Sequence, residues 1–215
     1  MIHWLSAGDP PEAFPPVGQA LADPPGLLAA GGDLSPARLL AAYRRGIFPW
    51  YSPGQPVLWW SPDPREVLPV AELRVSRSLA RTLRRARFTA SADRDFDAVV
   101  GACAAPRERS PGTWITPEMR AAYLRLHALG AAHSIEVWHG AELVGGVYGV
   151  AVGRAFSGES MFSRASDASK VALVALAEWC RDCGIDLIDC QLPSAHLRSL
   201  GSRAMPRAEF LAYLG

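Results

Sequence analysis

Apolar and polar positions change rhythm along the chain, and each change predicts an element. Residues 36–45 carry apolar side chains at helical spacing. They follow Ser35, a residue suited to an N-cap, and Pro36, suited to the first helical turn; Gly46 follows as a left-handed stop. Ile47-Phe48-Pro49-Trp50-Tyr51-Ser52-Pro53-Gly54 then reads as a rigid aromatic turn, and residues 57–61 as a short strand closed by Pro62-Asp63-Pro64-Arg65. Thr116-Pro117-Glu118-Met119 opens a second capped helix that runs to about residue 130. From His133 the period switches to that of strands, predicted at 134–138, 142–151 and 155–157, with turns at His139-Gly140 and Gly153-Arg154. Residues 166–183 return to helical spacing, apolar at Val171, Val174, Leu176 and Trp179. Residues 185–190 form a last short strand. A helix precedes it, so it is expected to lie parallel to a neighbour.

An antiparallel meander, a helix and a further strand make an α+β plan with a central mixed sheet. It is the plan of the N-acetyltransferase (GNAT-like) fold. Composition divides the chain further. Thirteen of the 18 prolines and four of the seven tryptophans fall within residues 1–69. The expected division is a small Pro/Trp-rich domain over 1–63 and a GNAT-like domain over 64–215. With 215 residues, 49% of them hydrophobic, there is enough apolar surface for a sizeable core. No apolar run nears the roughly 18 residues of a membrane span. Met1-Ile2-His3-Trp4 and the residues after it lack the basic start and apolar stretch of a secretory signal, so a cytoplasmic location is expected.

Charge changes the picture only when it is mapped. The net value is +1. Residues 1–63 hold three Arg against five acids, residues 64–110 ten Arg against six acids, and the remainder nine basic against ten acidic residues. Arg74, Arg77, Arg81, Arg84, Arg85 and Arg87 run with no acid among them. At helical spacing Arg77, Arg81, Arg84 and Arg85 share a face that excludes Leu79 and Leu83. Such a run is either a solvated face or a phosphate-binding row, and the absence of opposite charges favours contact with nucleic acid.

The cysteines add little. Cys180 and Cys183 form a Cys-x-x-Cys at the end of a helical stretch, where the dipole disfavours a thiolate. Cys180, Cys183, Cys190 and His196 match no common zinc spacing. Buried or half-buried thiols are the expectation, with no metal.

Seven strings then accumulate in one order. They are Gly31-Gly32-Asp33-Leu34-Ser35-Pro36; Tyr43-x-x-Gly46-Ile47-Phe48-Pro49-Trp50; Leu58-Trp59-Trp60-Ser61-Pro62-Asp63-Pro64-Arg65; Gly112-Thr113-Trp114-Ile115-Thr116; His133-Ser134-Ile135-Glu136-Val137-Trp138; Gly158-Glu159-Ser160-Met161-Phe162-Ser163; and Ile188-Asp189-Cys190-Gln191. Together the sequence resembles the leucyl/phenylalanyl-tRNA–protein transferase family, from about Phe14 to the C-terminus. The resemblance implies a small N-terminal domain and an acetyltransferase-like C-terminal domain. It implies transfer of Leu, Phe or Met from aminoacyl-tRNA to proteins that begin with Arg or Lys, which marks them for degradation in bacteria. It implies no cofactor and no membrane, and a monomer is expected because both substrates are macromolecules.

Residue roles follow from the same resemblance. Asp189 is expected to accept a hydrogen bond from the Gln191 amide, whose carbonyl oxygen then faces the attacking amine. The alternative is a plain polar pair at a strand end. Glu159 is expected either to recognise the cationic acceptor or to take its proton. Val147, Phe156, Leu173 and Leu176 correspond to the pocket for the donor side chain, with ordinary core as the other reading for Leu173 and Leu176. Trp50 and Trp114 correspond to aromatics beside the terminal adenosine of tRNA, with Tyr43 contributing a hydroxyl, unless the two Trp are packing residues. Arg77, Arg81, Arg84 and Arg85 would hold tRNA phosphates. Pro193 and Ser202 depart from the family pattern near Gln191. A conventional acetyl-CoA enzyme is disfavoured because residues 163–170 contain no glycine and place Asp167 at the helix start.

Overall fold

The structure is a computed structural model that describes residues 2–105 and 113–215. In chain order its strands are β1 (His3–Leu5), β2 (Leu27–Gly31), β3 (Phe48–Pro49), β4 (Leu58–Trp60), β5 (Arg65–Pro69), β6 (Thr89–Ala92), β7 (Ala132–His139), β8 (Glu142–Val152), β9 (Ala155–Ser163), β10 (Leu187–Gln191) and β11 (Arg203–Met205). Its α-helices are α1 (Pro36–Tyr43), α2 (Arg77–Arg84), α3 (Phe96–Ala104), α4 (Pro117–Ala128), α5 (Ala168–Asp182), α6 (Ala195–Ser199) and α7 (Arg207–Leu211).

The helix starts follow capping chemistry. Ser35, Ser76, Asp95, Thr116 and Ser194 each accept a hydrogen bond from the backbone N–H three residues on, opening α1, α2, α3, α4 and α6. Gly46, with φ of 68°, closes the turn after α1, and a Cβ there would run into Leu211.

Two sheets result. The first has the order β1-β2-β4-β3 and the second β11-β5-β10-β9-β8-β7-β6. The larger sheet is mixed. β9 and β10 are parallel, with α5 crossing between them as the pattern predicts, and its other pairings are antiparallel. The α+β plan with a central mixed sheet holds. One expected strand is longer. The strand expected to stop at residue 157 continues to Ser163, because β8 supplies a ladder partner as far as Gly145. Glu159 therefore sits on a rigid strand rather than in a loop.

The smaller sheet belongs to residues before Arg65, but its core is not its own. Leu5, Leu28 and Trp59 share one apolar cluster with Phe96, Val99, Tyr123, Tyr148 and Phe162. About 60 residues bury too little surface to be robust alone, and the shared cluster supplies the rest. A second cluster, including Leu79, Val147, Phe156, Leu173 and Leu176, fills the space between α5 and the large sheet.

α2 is amphipathic as expected. Leu79 is buried, Leu83 half-buried, and Arg77, Arg81, Arg84 and Arg85 are exposed. None of these four has an acidic partner within ion-pair distance among the described residues. The cysteines do not support redox chemistry. Burial pushes the Cys180 thiol up to about 12, while Cys183 is exposed, not buried or half-buried as expected. No group of His, Cys, Asp and Glu suited to a metal occurs among the described residues.

Candidate active site

Arg65, the first residue of β5, anchors the site from beneath. Its side chain is 1% exposed. Nε and Nη2 donate to Asp189 Oδ1 and Oδ2 at 2.7 and 2.8 Å, and Nη1 donates to the Gly46 carbonyl at 3.1 Å. The guanidinium lies between the rings of Phe48 and Phe210, 4.8 Å from each centroid. Asp189 is equally buried. The fork geometry pairs both carboxylate oxygens with one buried guanidinium.

Gln191 builds on this pair. Its backbone N–H donates to Asp189 Oδ1 at 3.0 Å. Its side-chain Nε2 donates to Ser157 Oγ at 3.0 Å, to the Asp189 carbonyl at 3.2 Å and to Asp189 Oδ2 at 3.3 Å. Ser157 Oγ in turn donates to Asp189 Oδ2 at 3.1 Å. With Nε2 so engaged, Oε1 is the acceptor left for a ligand. Simple strand alternation does not bring the two residues together. The ladder with β5 slips by one residue between Asp189 and Gln191, and Gln191 adopts a left-handed φ of 57°. The bulge folds the amide back over Asp189.

Glu159 lies in a different environment. Oε2 accepts from the Tyr123 hydroxyl at 2.6 Å, and the Tyr123 hydroxyl meets that of Tyr43 at 3.0 Å. Oε1 is buried with no hydrogen-bond partner among the described residues. Burial pushes the Glu159 carboxyl up to about 7. The Tyr123 and Tyr43 hydroxyls pull against that rise, and the Asp189 charge adds to it. Burial and the nearby Glu159 charge raise the Tyr43, Tyr123 and Tyr148 hydroxyls, so all three stay neutral.

Two cavities meet at these side chains. One, of about 170 Å³, is lined by Val147, Met161, Leu173, Leu176, Ile188 and Leu197, with Glu159, Asp189 and Gln191 at its polar end. The other, of about 110 Å³, is lined by Phe48, Pro49, Trp50, Trp114 and Leu192, and it too reaches Glu159, Cys190 and Gln191. Trp50 is 43% exposed and tilts against Trp60, whose Nε1 donates to the Trp50 carbonyl at 2.6 Å. An apolar pocket and an aromatic cleft therefore share one polar junction. A larger concavity, of about 890 Å³ between Trp4, Tyr51 and Glu118, shares no lining residue with that junction.

Residues 67–215 match the family model described as leucyl/phenylalanyl-tRNA protein transferase, and residues 32–63 match the model of that protein's N-terminal domain. A leucyl/phenylalanyl-tRNA–protein transferase of Aromatoleum aromaticum is 66% identical over 214 residues, covering 100% of this chain and 89% of its relative. The chain belongs to the leucyl/phenylalanyl-tRNA protein transferase family. Transferases of the same name from Pseudomonas aeruginosa and Pseudomonas putida are 61% and 60% identical, each match covering 100% of this chain and 94% of the relative. Among solved structures, a GCN5-related N-acetyltransferase from Kribbella flavida aligns at 12% identity with a TM-score of 0.42, over 77% of this chain and 59% of that one.

Within this transferase, most of the expected site residues converge. Asp189, Gln191, Glu159, Trp50, Trp114, Val147, Leu173 and Leu176 all line the two joined cavities. Two expectations need correcting. Phe156 does not line the pocket. It is fully buried against Trp179 at 5.8 Å, because it faces the packed middle of the sheet. Tyr43 does not face a nucleobase. It is 4% exposed and its hydroxyl supports Tyr123, because α1 packs it into the shared core. Gly112, quoted in the Trp114 string, lies outside the described residues.

Three residues escaped the sequence reading of the site. Arg65 appears there only as the end of a turn motif, Ser157 as a strand end, and Tyr123 only within the span of the helix that Thr116 opens. Two charged residues, Arg65 and Glu66, leading the apolar Val67-Leu68 are the signal that could have pointed to Arg65. Of the departures from the family pattern, Ser202 is buried and its Oγ donates to Glu66, the ladder partner of Gln191, at 2.5 Å.

Proposed function

We propose that this chain transfers leucine, phenylalanine or methionine from aminoacyl-tRNA to the α-amine of proteins that begin with Arg or Lys, marking them for degradation in the cytoplasm. The observation that carries the reading is the junction itself. A pocket of apolar side chains and a cleft with two tryptophans meet at Gln191 and Glu159. That shape fits an amino-acid side chain on one side and a stacked adenosine on the other, with the ester between them.

The chemistry required is aminolysis of an activated ester. The acceptor nitrogen attacks the ester carbonyl, the C–N bond forms, and the bond to the ribose oxygen breaks. The nitrogen loses a proton and the departing oxygen gains one. A carboxylate with a pKa of about 7 suits the first proton transfer near neutrality, and Glu159 has that value. Gln191 does not take up a proton. Its Oε1 orients the amine and stabilises the positive charge that develops on it. Asp189, locked to Arg65, positions Gln191 instead of relaying protons. Holding both substrates at one junction supplies the rest of the acceleration.

In this scheme the labour divides at residue 63. Residues 1–63 contribute Trp50 to the adenosine cleft, and residues 64–215 contribute the pocket, the carboxylates and the Arg row that binds tRNA phosphates. The chain works as a monomer in this scheme. No helix among the described residues is long and apolar enough to cross a membrane.

The test incubates purified protein with radiolabelled leucyl-tRNA and a peptide that begins with Arg. Label is expected in the peptide, and a matching peptide that begins with Asp is expected to stay unlabelled. Folded protein that leaves the Arg peptide unlabelled while acetylating it from acetyl-CoA would overturn the reading.

A further inference from the structure

A third cavity, of about 420 Å³, adjoins the apolar pocket and has no part in the scheme above. Met161 lines both. Phe162, Ser163 and Arg164 at the end of β9, Ser169 in the first turn of α5 and His196 on α6 form its walls, with two alanines near the end of α3 on the far side. Among the described residues its lining carries no acidic side chain.

The donors in this cavity are incompletely used. His196 Nε2 is buried and has no hydrogen-bond partner among the described residues. Burial and the positive charge of Lys170 hold the His196 imidazole below its ordinary pKa. A neutral ring still offers one N–H, and an unpaired buried ring nitrogen carries a desolvation cost that a ligand relieves. Arg164 spends Nη1 on the Leu143 carbonyl at 3.2 Å, and its other N–H groups have no partner among the described residues. Ser163 Oγ is already satisfied by the Ala165 carbonyl and the Ser169 N–H.

Position identifies the ligand class. On one side the cavity touches the pocket proposed for the aminoacyl group. On the other, Thr82 of α2 donates to Asp167 at the start of α5, which brings the unpaired Arg row to the same end of that helix. The start of α5 contributes Ser169 to the cavity, so the cavity stands next to that row, and Met161 joins it to the pocket proposed for the aminoacyl group. A cationic acceptor N-terminus finds no carboxylate among the described residues that line it.

We infer that the cavity is a phosphate subsite, in which His196 and Arg164 hold a backbone phosphate of the single-stranded 3′ end of tRNA just upstream of the terminal adenosine. This rests on the aminoacyl-tRNA reading above and adds a contact that an isolated adenosine does not make.

The experiment compares equilibrium binding of uncharged CCA trinucleotide and of adenosine to the wild type, His196→Ala, Arg164→Ala and His196→Gln, the last keeping an N–H donor. Each Ala variant is expected to weaken trinucleotide binding about tenfold with adenosine binding unchanged, and His196→Gln to recover much of the loss. Equal weakening of both ligands, or no change in either, overturns the subsite. The measurement needs no transfer. Specific trinucleotide binding in a protein that moves no amino acid would sink the proposed activity and leave the phosphate subsite standing.

Discussion

The two carboxylates of the site occupy opposite electrostatic worlds. Asp189 has a buried guanidinium on both oxygens, a backbone N–H and a hydroxyl. Glu159 has the Tyr123 hydroxyl on one oxygen and, among the described residues, no hydrogen-bond partner on the other. The first is locked in a buried ion pair, and the second stands where burial raises its pKa to about 7. When two acids share a site, the one whose environment disfavours ionisation is the proton carrier, and the compensated one is scaffold. The difference argues against a relay in which Asp189 exchanges protons, and for Glu159 as the group that does.

The contrast breaks most severely at Arg65. Arg65→Met leaves Asp189 charged, buried and unpaired, and is expected to cost about 3–5 kcal/mol of stability by urea unfolding, with transfer lost. Adding Asp189→Leu should recover much of the stability and none of the transfer. If the double variant regains transfer, Asp189 does not position Gln191.

Glu159→Gln leaves the anchor intact and removes the titrating group. Transfer is expected to fall about 100-fold or more, and the rise of the wild-type rate with pH through about 7 should disappear. Stability moves the other way. Folding raises the Glu159 pKa from its ordinary 4.5 to about 7, so the folded state holds the proton more tightly than the unfolded chain. Wild-type stability therefore falls as pH rises from about 4.5 to about 7. Glu159→Gln escapes that loss, so its melting temperature should gain on the wild type between about pH 5 and about pH 8. A gap that widens in favour of the wild type would contradict the assignment.

Gln191→Ala is expected to lower the rate of transfer about tenfold with tRNA affinity retained, read from single turnovers and filter binding. Tyr123→Phe tests a finer point. It removes the hydrogen bond that holds the Glu159 pKa down, so the midpoint of the pH–rate profile should move above about 7 while the maximal rate changes little. An unmoved midpoint would mean that the Tyr123 contact does not tune the acid. The smallest effect on chemistry is expected from the Arg row. Reversing Arg77 and Arg81 should weaken tRNA binding and lower its salt slope by about 1 per residue lost, with transfer from aminoacyl-adenosine unchanged.

The expected roles read unevenly against the structure. Caps at Ser35 and Thr116, the meander and the parallel last strand were legible because they depend on residues close in sequence. So was the meeting of Asp189 with Gln191, although a bulge rather than strand alternation produces it. Phe156 and Tyr43 were misplaced because apolar and aromatic residues suit a pocket wall and a core equally, and only packing separates the two. Arg65 was missed because its partner stands 124 positions away.

The sequence alone determined the family pattern, the element types, the basic row and the identity of the two acids. Those properties reside in residue types and short spacings. Tertiary structure decided which acid is locked in an ion pair and which has its pKa raised by burial. That depends on what surrounds each carboxylate: Arg65 from another strand beside Asp189, and tyrosines from α1 and α4 beside Glu159. A pKa is a property of an environment, and the environment is assembled only when distant segments pack.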